Sequence, residues 1–304
     1  MKKALIIGGT GGVSGTIVRL LQAENVQVWT LTRGNRPLPI GVHGLVADRN
    51  DEVQFERVIS SVNVRFDAVF DCICMNETHA KQDMRILPKV TSRLLVISTD
   101  SVYDGRFKQT PQAENVVFIE RVGDYAGDKR AMEKVFLRSF TENKGKNLRI
   151  TIFRPGHIYG PGFLLGCYPE HSRQRDLAEY ICSGGELRLV AAGIYLIQPI
   201  FVDDLAVTMI DAVENSATEN EIFCIGVPEV VENRRYYEIL AELLDVKPKI
   251  TEIRLTGYLD EHPEFSGHLC HRIYTLTKLR QTGVKMPSTL LKDGLKRQLQ
   301  SLGL

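Results

Sequence analysis

The sequence predicts an α/β protein with a doubly wound parallel sheet, covered by helices on both faces and followed by a smaller C-terminal lobe. Two observations lead to this fold class. Short, almost wholly apolar strands alternate with helical patterns through the first half of the 304-residue chain, and beyond Gly162 the alternation loosens into turn-rich segments. Strands without polar positions need cover on both faces, which right-handed helical crossovers between parallel strands provide.

The predicted elements follow each other in the order that such a sheet requires. Short apolar runs predict strands at 3–7, 26–31, 45–46, 67–73, 94–98 and 149–153. Helical spacing of apolar residues predicts helices at 16–23, 51–61, 123–140, 177–182, 205–213, 236–244 and 290–299. We expect residues 1–165 to form the nucleotide-binding domain, to which a segment near 199–226 returns, and residues 166–304 to form mostly a substrate-binding lobe.

The composition argues against several classes of protein. Apolar residues make up 43% and charged residues 25% of the chain, which is the balance of a globular protein. The 38 basic and 37 acidic residues give a net charge of +1, whereas nucleic-acid-binding proteins usually have a basic excess. The first apolar run is too short for an export signal, and the six cysteines have the scattered spacing of reduced thiols. We therefore expect a cytoplasmic protein without a nucleic-acid or membrane partner.

The segment between the first strand and the first helix has the pattern of a dinucleotide-binding turn, G-x-x-G-x-x-G. Glycines allow a sharp turn and the close approach of a pyrophosphate, which backbone N–H groups and the positive end of the helix dipole stabilise. The pattern predicts a Rossmann-type domain, with a tight turn that only packs the helix as the alternative. The expected cofactor contacts here are Gly9, Thr10, Gly12, Val13 and Gly15.

Residues at the ends of the next strands indicate which dinucleotide binds. Where an NAD enzyme has a carboxylate for the adenosine ribose, this chain has Thr32 and Arg33. A guanidinium binds a 2′-phosphate through charge-assisted hydrogen bonds, so the sequence favours NADP over NAD, with a solvated loop arginine as the alternative. Asp48, after the third strand, is placed either to accept a hydrogen bond from the adenine amino group or to cap the next helix.

A tyrosine, a lysine and a hydroxyl cluster form the candidate catalytic set. Tyr125 and Lys129 lie four residues apart in a predicted helix and therefore share a face. We expect the nearby ammonium to pull the tyrosine pKa from ~10 toward neutrality, so that Tyr125 exchanges a proton with a substrate hydroxyl or carbonyl. Thr99 follows the fifth strand, where a hydroxyl faces the sheet crevice and can bind the same substrate oxygen.

Together, the glycine motif, the hydroxyl cluster and the Tyr-x-x-x-Lys pair resemble the extended short-chain dehydrogenase/reductase family, also called the NAD-dependent epimerase/dehydratase family. The resemblance extends over essentially the whole chain and includes 98–103 and 154–162, which are similar to the family's hydroxyl and nicotinamide-side segments. It implies that Thr99 orients the reacting oxygen, Tyr125 is the acid/base and Lys129 holds the ribose.

The resemblance also places further residues at the site. It implies that Cys72, Pro155 and His157 contact the cofactor. His157 stands where nucleotide-sugar epimerases of the family usually have asparagine, so it could also bind the substrate, although a structurally satisfied histidine is the alternative. His268, His271 and Arg272 could reach a polar substrate, or they could simply be polar residues of the surface.

The implied function is NAD(P)-dependent epimerase or dehydratase chemistry on a carbohydrate-like or other hydroxylated small molecule. An NADP(H)-dependent carbonyl reductase remains open. So does a non-catalytic, cofactor-binding or RNA-associated protein, because the motifs are nearest in style to the family branch with chloroplast stem-loop RNA-binding proteins. Ile197 stands where nucleotide-sugar enzymes carry an arginine, so we expect UDP- and dTDP-sugars to bind weakly. No metal-ligand motif is found, no metal is expected, and a homodimer is left open.

Overall fold

In the computed structural model, strands and helices alternate from the first residues onward, and the structure describes residues 1–120, 123–142, 148–167, 169–265 and 267–304. The strands are β1 (Lys3–Ile7), β2 (Gln27–Thr32), β3 (His43–Val46), β4 (Ala68–Asp71), β5 (Arg93–Ile97), β6 (Arg149–Pro155), β7 (Ile158–Tyr159), β8 (Glu186–Val190), β9 (Leu196–Ile197), β10 (Ile200–Phe201), β11 (Glu221–Ile225), β12 (Val231–Glu232) and β13 (Lys249–Ile253). The α-helices are α1 (Gly12–Ala23), α2 (Glu52–Ser61), α3 (Glu77–Ile86), α4 (Tyr125–Glu142), α5 (Leu177–Cys182), α6 (Val202–Asp211), α7 (Asn233–Leu243), α8 (Leu255–Glu261), α9 (Thr277–Gln281) and α10 (Leu291–Ser301).

Seven strands form one sheet in the order β11-β6-β5-β4-β1-β2-β3, and every neighbouring pair is parallel. Ile7 lies opposite Leu31 on one side and Asp71 on the other, so the carboxyl ends of β1, β2 and β4 meet at one edge. The chain builds outward from β1 to β3 and then crosses to β4, which leaves a crevice between β1 and β4 where ligands bind in such sheets. The predicted Rossmann-type α/β fold is confirmed.

Helices cover both faces of the sheet. Strand β1 illustrates what this requires of the sequence, because its buried residues 4–7 are all apolar. Ala4 and Ile6 point into one apolar core, which includes side chains of α1 and α6, while Leu5 and Ile7 point into the other, which includes side chains of α2 and α4. Successive side chains of a strand alternate between faces, so a strand that is buried twice must be apolar throughout.

The C-terminal part of the chain contributes a third apolar core, formed by α5, α7 and α10 around Tyr236 and Tyr237. Before it, β11 adds an edge strand to the main sheet beside β6. The division of the chain at residue 165 stays a prediction. Among the described residues, no helix combines the length and the apolar character needed to cross a membrane.

The crossover helix α3 was not predicted, because its buried positions are largely polar. His79, Gln82 and Asp83 are buried, and Asp83 accepts a hydrogen bond of 2.7 Å from the Arg49 guanidinium. Because the buried face of this helix is ionic, its sequence lacks the apolar periodicity from which a helix is predicted. The cap is the signal that could have revealed the helix: Asn76 accepts from the backbone N–H of His79 at 2.9 Å.

Several predicted boundaries differ from the structure by one to four residues, and for two of them the physical reason is clear. Helix α1 begins at Gly12 and not at residue 16, because the glycine segment itself forms the first helical turn. Strand β4 ends at Asp71 and not at residue 73. The Asp71 carboxylate accepts a hydrogen bond of 2.8 Å from the backbone N–H of Ile73, and this bond turns the chain out of the sheet.

Candidate functional site

A cavity of about 1060 Å³ follows the carboxyl ends of the strands in the main sheet. The end of each of the six strands β1 to β6 contributes to its wall; examples are Gly8, Thr32, Asp48, Cys72, Thr99 and Pro155. Typical small-molecule sites measure ~300–1,000 Å³, so this cavity has room for a dinucleotide and a second small molecule. Of the thirteen expected cofactor residues, all but Gly9 and Gly15 line it.

The glycines of the turn have different physical roles. Gly9 adopts a φ of +98°, and a Cβ at this position would lie 2.7 Å from the Thr30 side chain. A Cβ at Gly12 would lie 2.4 Å from the ring of Phe163. At Gly15 the nearest atom would be 3.8 Å away, which is an ordinary contact. Gly9 thus shapes the turn and Gly15 has space for a side chain, and a contact of either glycine with the cofactor stays a prediction.

The turn fits a pyrophosphate. Gly11, Gly12 and Val13 line the cavity at the N-terminus of α1, where the first backbone N–H groups of a helix have no intrahelical acceptor. The Gly11 N–H donates to the Ser14 hydroxyl at 3.0 Å, and Arg36 donates to the carbonyl of Thr10 at 3.2 Å. These bonds hold the loop in the shape of an anion-binding cradle.

The wall beside β2 carries positive charge. Arg33 and Arg36 both line it, and Thr32 accepts from the N–H of Gly34 at 3.1 Å. Among the described residues, the cavity-lining carboxylates are Asp48 and Asp100, neither of which follows β2. This part of the wall therefore offers guanidinium groups where an NAD site would offer a carboxylate.

Asp48 does not cap α2. Its carboxylate accepts from the backbone N–H and the side-chain amide of Asn50, at 2.9 and 3.1 Å. The cap is Asp51, which accepts from the N–H of Gln54 at 2.9 Å. Asp48 lines the cavity, and its contact with adenine stays a prediction.

Thr99, Tyr125 and Lys129 come together on the wall of the cavity, as the sequence predicts. The Thr99 hydroxyl is close enough to the Tyr125 phenol to lower its pKa, and it accepts from the N–H of Ser101 at 3.2 Å. The Lys129 ammonium is buried and donates to the carbonyls of Cys74 and Ile97 at 2.7 and 2.8 Å. Two hydroxyls and an ammonium thus face one space.

The expected effect of Lys129 on the tyrosine is not observed. Although 53% of Tyr125 is exposed, burial of its phenol end raises its pKa, and the bond with Thr99 and the charge of Arg173 offset only part of this rise. Lys129 is not among the groups that shift this pKa, and its ammonium donates to two carbonyl groups. Burial also lowers the pKa of Lys129 itself. Tyr125 is therefore a phenol at neutral pH.

Asp100, next to Thr99, connects the turn after β5 to the C-terminal segment that contains Arg272 and Tyr274. It is 3% exposed and accepts hydrogen bonds from Arg272, at 3.1 Å, and from the Tyr274 hydroxyl. Lys108 lies 3.9 Å away. Burial alone would raise the pKa of Asp100, but Arg272, Lys108 and Tyr274 together lower it. The carboxylate is therefore ionised.

His157 lines the cavity as a neutral ring. Burial, with the charges of Arg173 and Arg272, lowers its pKa to about 3. Its Nε2 atom is buried and has no hydrogen-bond partner among the described residues. The ring packs edge-on against Tyr236 at 5.8 Å. A structurally satisfied histidine would have partners for its ring nitrogens within the fold, whereas the Nε2 atom of His157 has none among the described residues.

The three polar residues expected to reach a substrate separate in the structure. His268 and Arg272 line the cavity. His271 does not: its Nδ1 accepts from the N–H of Leu196 at 3.0 Å, on the side of β9. Sequence reasoning missed further wall residues that lie outside periodic apolar patterns; examples are Phe163, Arg173, Tyr195 and Asn233.

A cluster behind the wall has the composition of a metal site but is built as an ion-pair network. The ligand atoms of Asp71, Cys74 and Asp83 lie within 4.8 Å of one another. The Arg49 guanidinium, whose side chain is 3% exposed, binds both carboxylates. It supplies the positive charge that a cation would bring, so a metal ion would have to displace it.

Comparison with known proteins gives one family match and several relatives. Residues 4–226 match the model of the NAD dependent epimerase/dehydratase family. The 2′-dehydrokanamycin reductase of Streptomyces kanamyceticus is 27% identical over 179 residues, which are 56% of this chain and 49% of the reductase. The chloroplast stem-loop binding protein of 41 kDa b from Arabidopsis thaliana is 25% identical over 238 residues, or 74% and 58% of the two chains. The chain therefore spans about half the length of the curated relatives it matches.

Solved structures show the same fold at low sequence identity. The UDP-glucose 4-epimerase of Thermotoga maritima, solved with UDP-glucose, has a TM-score of 0.78 and 19% identity over 99% of this chain and 98% of its own. The dTDP-glucose 4,6-dehydratase of Bacillus anthracis, solved with NAD, has a TM-score of 0.76 and 17% identity over 100% and 97%. The family match covers most of the chain and includes the glycine turn, Thr99, Tyr125 and Lys129. The chain belongs to the NAD-dependent epimerase/dehydratase family.

Proposed function

We propose that the protein is an NAD(P)-dependent oxidoreductase of the epimerase/dehydratase type that acts on a carbohydrate-like or other hydroxylated small molecule. The observation that carries this proposal is the convergence of Thr99, Tyr125 and Lys129 on the wall of the cavity that also contains the glycine turn. A bound dinucleotide supplies hydride chemistry at the substrate carbon. The protein's part is to orient the substrate oxygen and to move its proton.

Each of the three residues has a separate task. Thr99 orients the substrate oxygen through its hydroxyl. Tyr125 exchanges the proton with that oxygen, and its raised pKa makes it a donor at neutral pH. The Lys129 ammonium has three N–H groups, of which two donate to carbonyls, so one remains for a ribose hydroxyl in the cavity.

We further propose that NADP(H) is the preferred dinucleotide. Arg33 and Arg36 line the wall after β2, and no carboxylate of the described residues stands there to repel a 2′-phosphate. Guanidinium groups bind phosphate through charge-assisted and often bidentate hydrogen bonds. The expected location is the cytoplasm, in keeping with the scattered spacing of the cysteines.

A carbonyl reductase is the second candidate. A tyrosine that is protonated at neutral pH suits the delivery of a proton to a carbonyl oxygen, and one of the curated relatives is a reductase. The two functions differ in whether the reaction consumes the reduced cofactor. A reductase consumes one NADPH per product, whereas an epimerase or a dehydratase of this type returns the hydride and leaves the cofactor unchanged.

The test compares two neighbouring hydroxyls. Thr99→Val removes the hydroxyl that acts on the Tyr125 phenol, whereas Ser98→Ala removes a neighbouring hydroxyl of the same wall that donates to Glu133 at 2.6 Å. Two assays are needed: conversion of hydroxylated sugars and uronic acids in the presence of NADP⁺ reports an epimerase or a dehydratase, and transfer of deuterium from deuterated NADPH to keto sugars reports a reductase. We expect a loss of ~10-fold or more for Thr99→Val only, with NADP⁺ affinity unchanged in both. Equal activities of Thr99→Val and the unmodified protein would contradict the proposal.

A further inference from the structure

We propose that Phe163, held in place by Gln298 of the C-terminal helix α10, covers the glycine turn and slows the release of the dinucleotide. The inference rests on the proposed function only in that the cavity binds a dinucleotide. It gives two residues outside the glycine turn a role in cofactor binding, and it holds for any substrate that the protein converts.

The first argument is the position of the Phe163 ring. Phe163 lines the cavity together with Gly11, Gly12 and Val13, the residues at the N-terminus of α1 that fit a pyrophosphate. A Cβ on Gly12 would lie within 2.9 Å of three ring carbons of Phe163. The Arg173 guanidinium lies over the ring, 4.9 Å from its centroid, and supports it there. The ring therefore rests on the first residue of the helix.

The second argument is the reason for a glycine at position 12. Gly8 and Gly9 have φ values of +117° and +98°, in the left-handed region that favours glycine. Gly12 is the first residue of α1 and has no such φ, and glycine is a poor helix former. The contact with Phe163 explains the glycine, because only a residue without a side chain leaves room for the ring.

The third argument is the tight turn that presents the ring. The N–H of Phe163 donates to the carbonyl of Gly160 at 3.0 Å, so the segment between them forms a β-turn. Its central residues are Pro161, in which the pyrrolidine ring fixes φ, and Gly162, which has a φ of +86°. This combination is typical of a type II turn. Both central residues therefore restrict the turn to one shape, in which Phe163 contacts Gly12.

The fourth argument is that α10 holds this turn through one buried side chain. The Gln298 amide donates to the carbonyl of Phe163 at 3.0 Å and accepts from the N–H of Gly160 at 3.2 Å. Gln298 therefore bonds to both ends of the turn. Its removal would leave two backbone groups without partners, which is unfavourable in a buried place.

Helix α10 is in turn connected to α1, which carries the glycine turn at its N-terminus. Asp203 accepts from Arg19 of α1 at 2.7 Å and from Arg297 of α10 at 2.8 Å. Both arginines are exposed, so these ion pairs add little to stability, but they set the position of one helix relative to the other. A dinucleotide bound at the turn therefore leaves only when the Phe163 ring moves, and Gln298 opposes that movement.

The experiment measures the release rate of the dinucleotide and needs no turnover. NADPH and NADH are each bound to the protein and displaced by an excess of the oxidised form, and the change in their fluorescence gives the release rate. Both carry the pyrophosphate, so the test does not depend on the preference for NADP(H). Adenosine 2′-monophosphate lacks the pyrophosphate, and its affinity, measured by calorimetry, is the control for a general structural effect.

The variants are Phe163→Ala and Phe163→Leu for the ring and Gln298→Met for the amide. Phe163→Leu keeps most of the apolar volume, so it tests the ring even if Phe163→Ala is unstable. The matched controls are Phe107→Ala and Gln300→Met. Phe107 is an exposed phenylalanine outside the cavity, and Gln300 is an exposed glutamine of the same helix α10.

We expect release to accelerate about tenfold or more in Phe163→Ala, and less in Phe163→Leu and Gln298→Met, with both controls unchanged. The affinity for adenosine 2′-monophosphate should stay the same in every variant. Unchanged release in the Phe163 variants, or an equal loss of affinity for adenosine 2′-monophosphate, would overturn the proposal. Unchanged release in Gln298→Met alone would contradict the role of Gln298. Faster release without turnover of any substrate would support the role of Phe163 and count against the proposed function.

Discussion

Arg272, which precedes α9, contacts Asp100, which follows β5, with 3.1 Å between Nη1 and Oδ2. These residues are far apart in the sequence, and Asp100 directly follows Thr99. The ion pair therefore fixes the C-terminal segment to the turn that carries the candidate catalytic hydroxyl. Tyr274 strengthens the same connection, because its hydroxyl donates to Asp100.

The first prediction is that Asp100→Asn destabilises the protein by about 3 kcal/mol, because Arg272 and Lys108 then lose their common anion in a largely buried place. Urea unfolding at neutral pH measures this change. The control is Glu77→Gln, which removes an exposed pair with Lys81 and should have little effect on the free energy of unfolding. Similar losses of unfolding free energy in the two variants would show that the buried Asp100 network contributes no more than an exposed ion pair.

The second prediction is a pH dependence of that difference. The pKa of Asp100 is lowered from its ordinary value of 3.8, so its contribution to stability is present above that value and is lost as the pH falls through the folded-state pKa. The difference in unfolding free energy between the unmodified protein and Asp100→Asn should therefore shrink below about pH 4. A difference that stays constant down to acid unfolding would contradict a lowered pKa.

The third prediction separates the glycines of the turn. Gly9→Ala should destabilise the protein by about 2 kcal/mol or more, because the residue has a φ of +98° and the new Cβ would meet Thr30. Gly15→Ala should be neutral, or stabilising by up to about 1 kcal/mol, because alanine is the better helix former. Thermal unfolding measures both changes, and a comparable loss in Gly15→Ala would refute the proposed division of roles.

The fourth prediction concerns the dinucleotide. Arg33→Ala should weaken NADP⁺ binding by about tenfold or more and leave NAD⁺ binding unchanged, because only NADP⁺ has the 2′-phosphate that the guanidinium would bind. Calorimetric titration of both dinucleotides checks this, with Arg57→Ala, an exposed arginine of α2 outside the cavity, as the control. Equal affinities for NAD⁺ and NADP⁺ in the unmodified protein would reject the preference.

Local patterns predicted most of the sheet and the centre of the site. The central strands are apolar because they are buried on both faces, and Tyr125, Lys129 and Thr99 occupy positions whose spacing has a direct geometric meaning. Helix α3 was missed because its inner face is stabilised by Arg49, which is distant in sequence. Arg173 was missed for a related reason: its position depends on the bridge between Leu165 and Gln174 and on the ring of Phe163, contacts that no local pattern encodes.

The pKa of Tyr125 is a further example of what tertiary structure decides. The spacing of Tyr125 and Lys129 correctly placed both residues on the cavity wall. It could not show that the ammonium would bind the carbonyls of Cys74 and Ile97, because these groups belong to two other segments of the chain. Sequence spacing thus predicts that the two side chains lie near each other. Which groups they bond to depends on the neighbouring strands, whose ends supply the acceptors.

The central claim is that Tyr125 transfers the proton in an NAD(P)-dependent reaction. Its most direct test is hydride transfer from deuterated NADPH by the unmodified protein and by Tyr125→Phe, with NADP⁺ affinity measured separately for each. Because the substitution removes one oxygen and little volume, we predict unchanged folding and cofactor affinity and a rate that falls by ~100-fold or more. Undiminished hydride transfer by Tyr125→Phe would contradict the account and remove Tyr125 from the reaction.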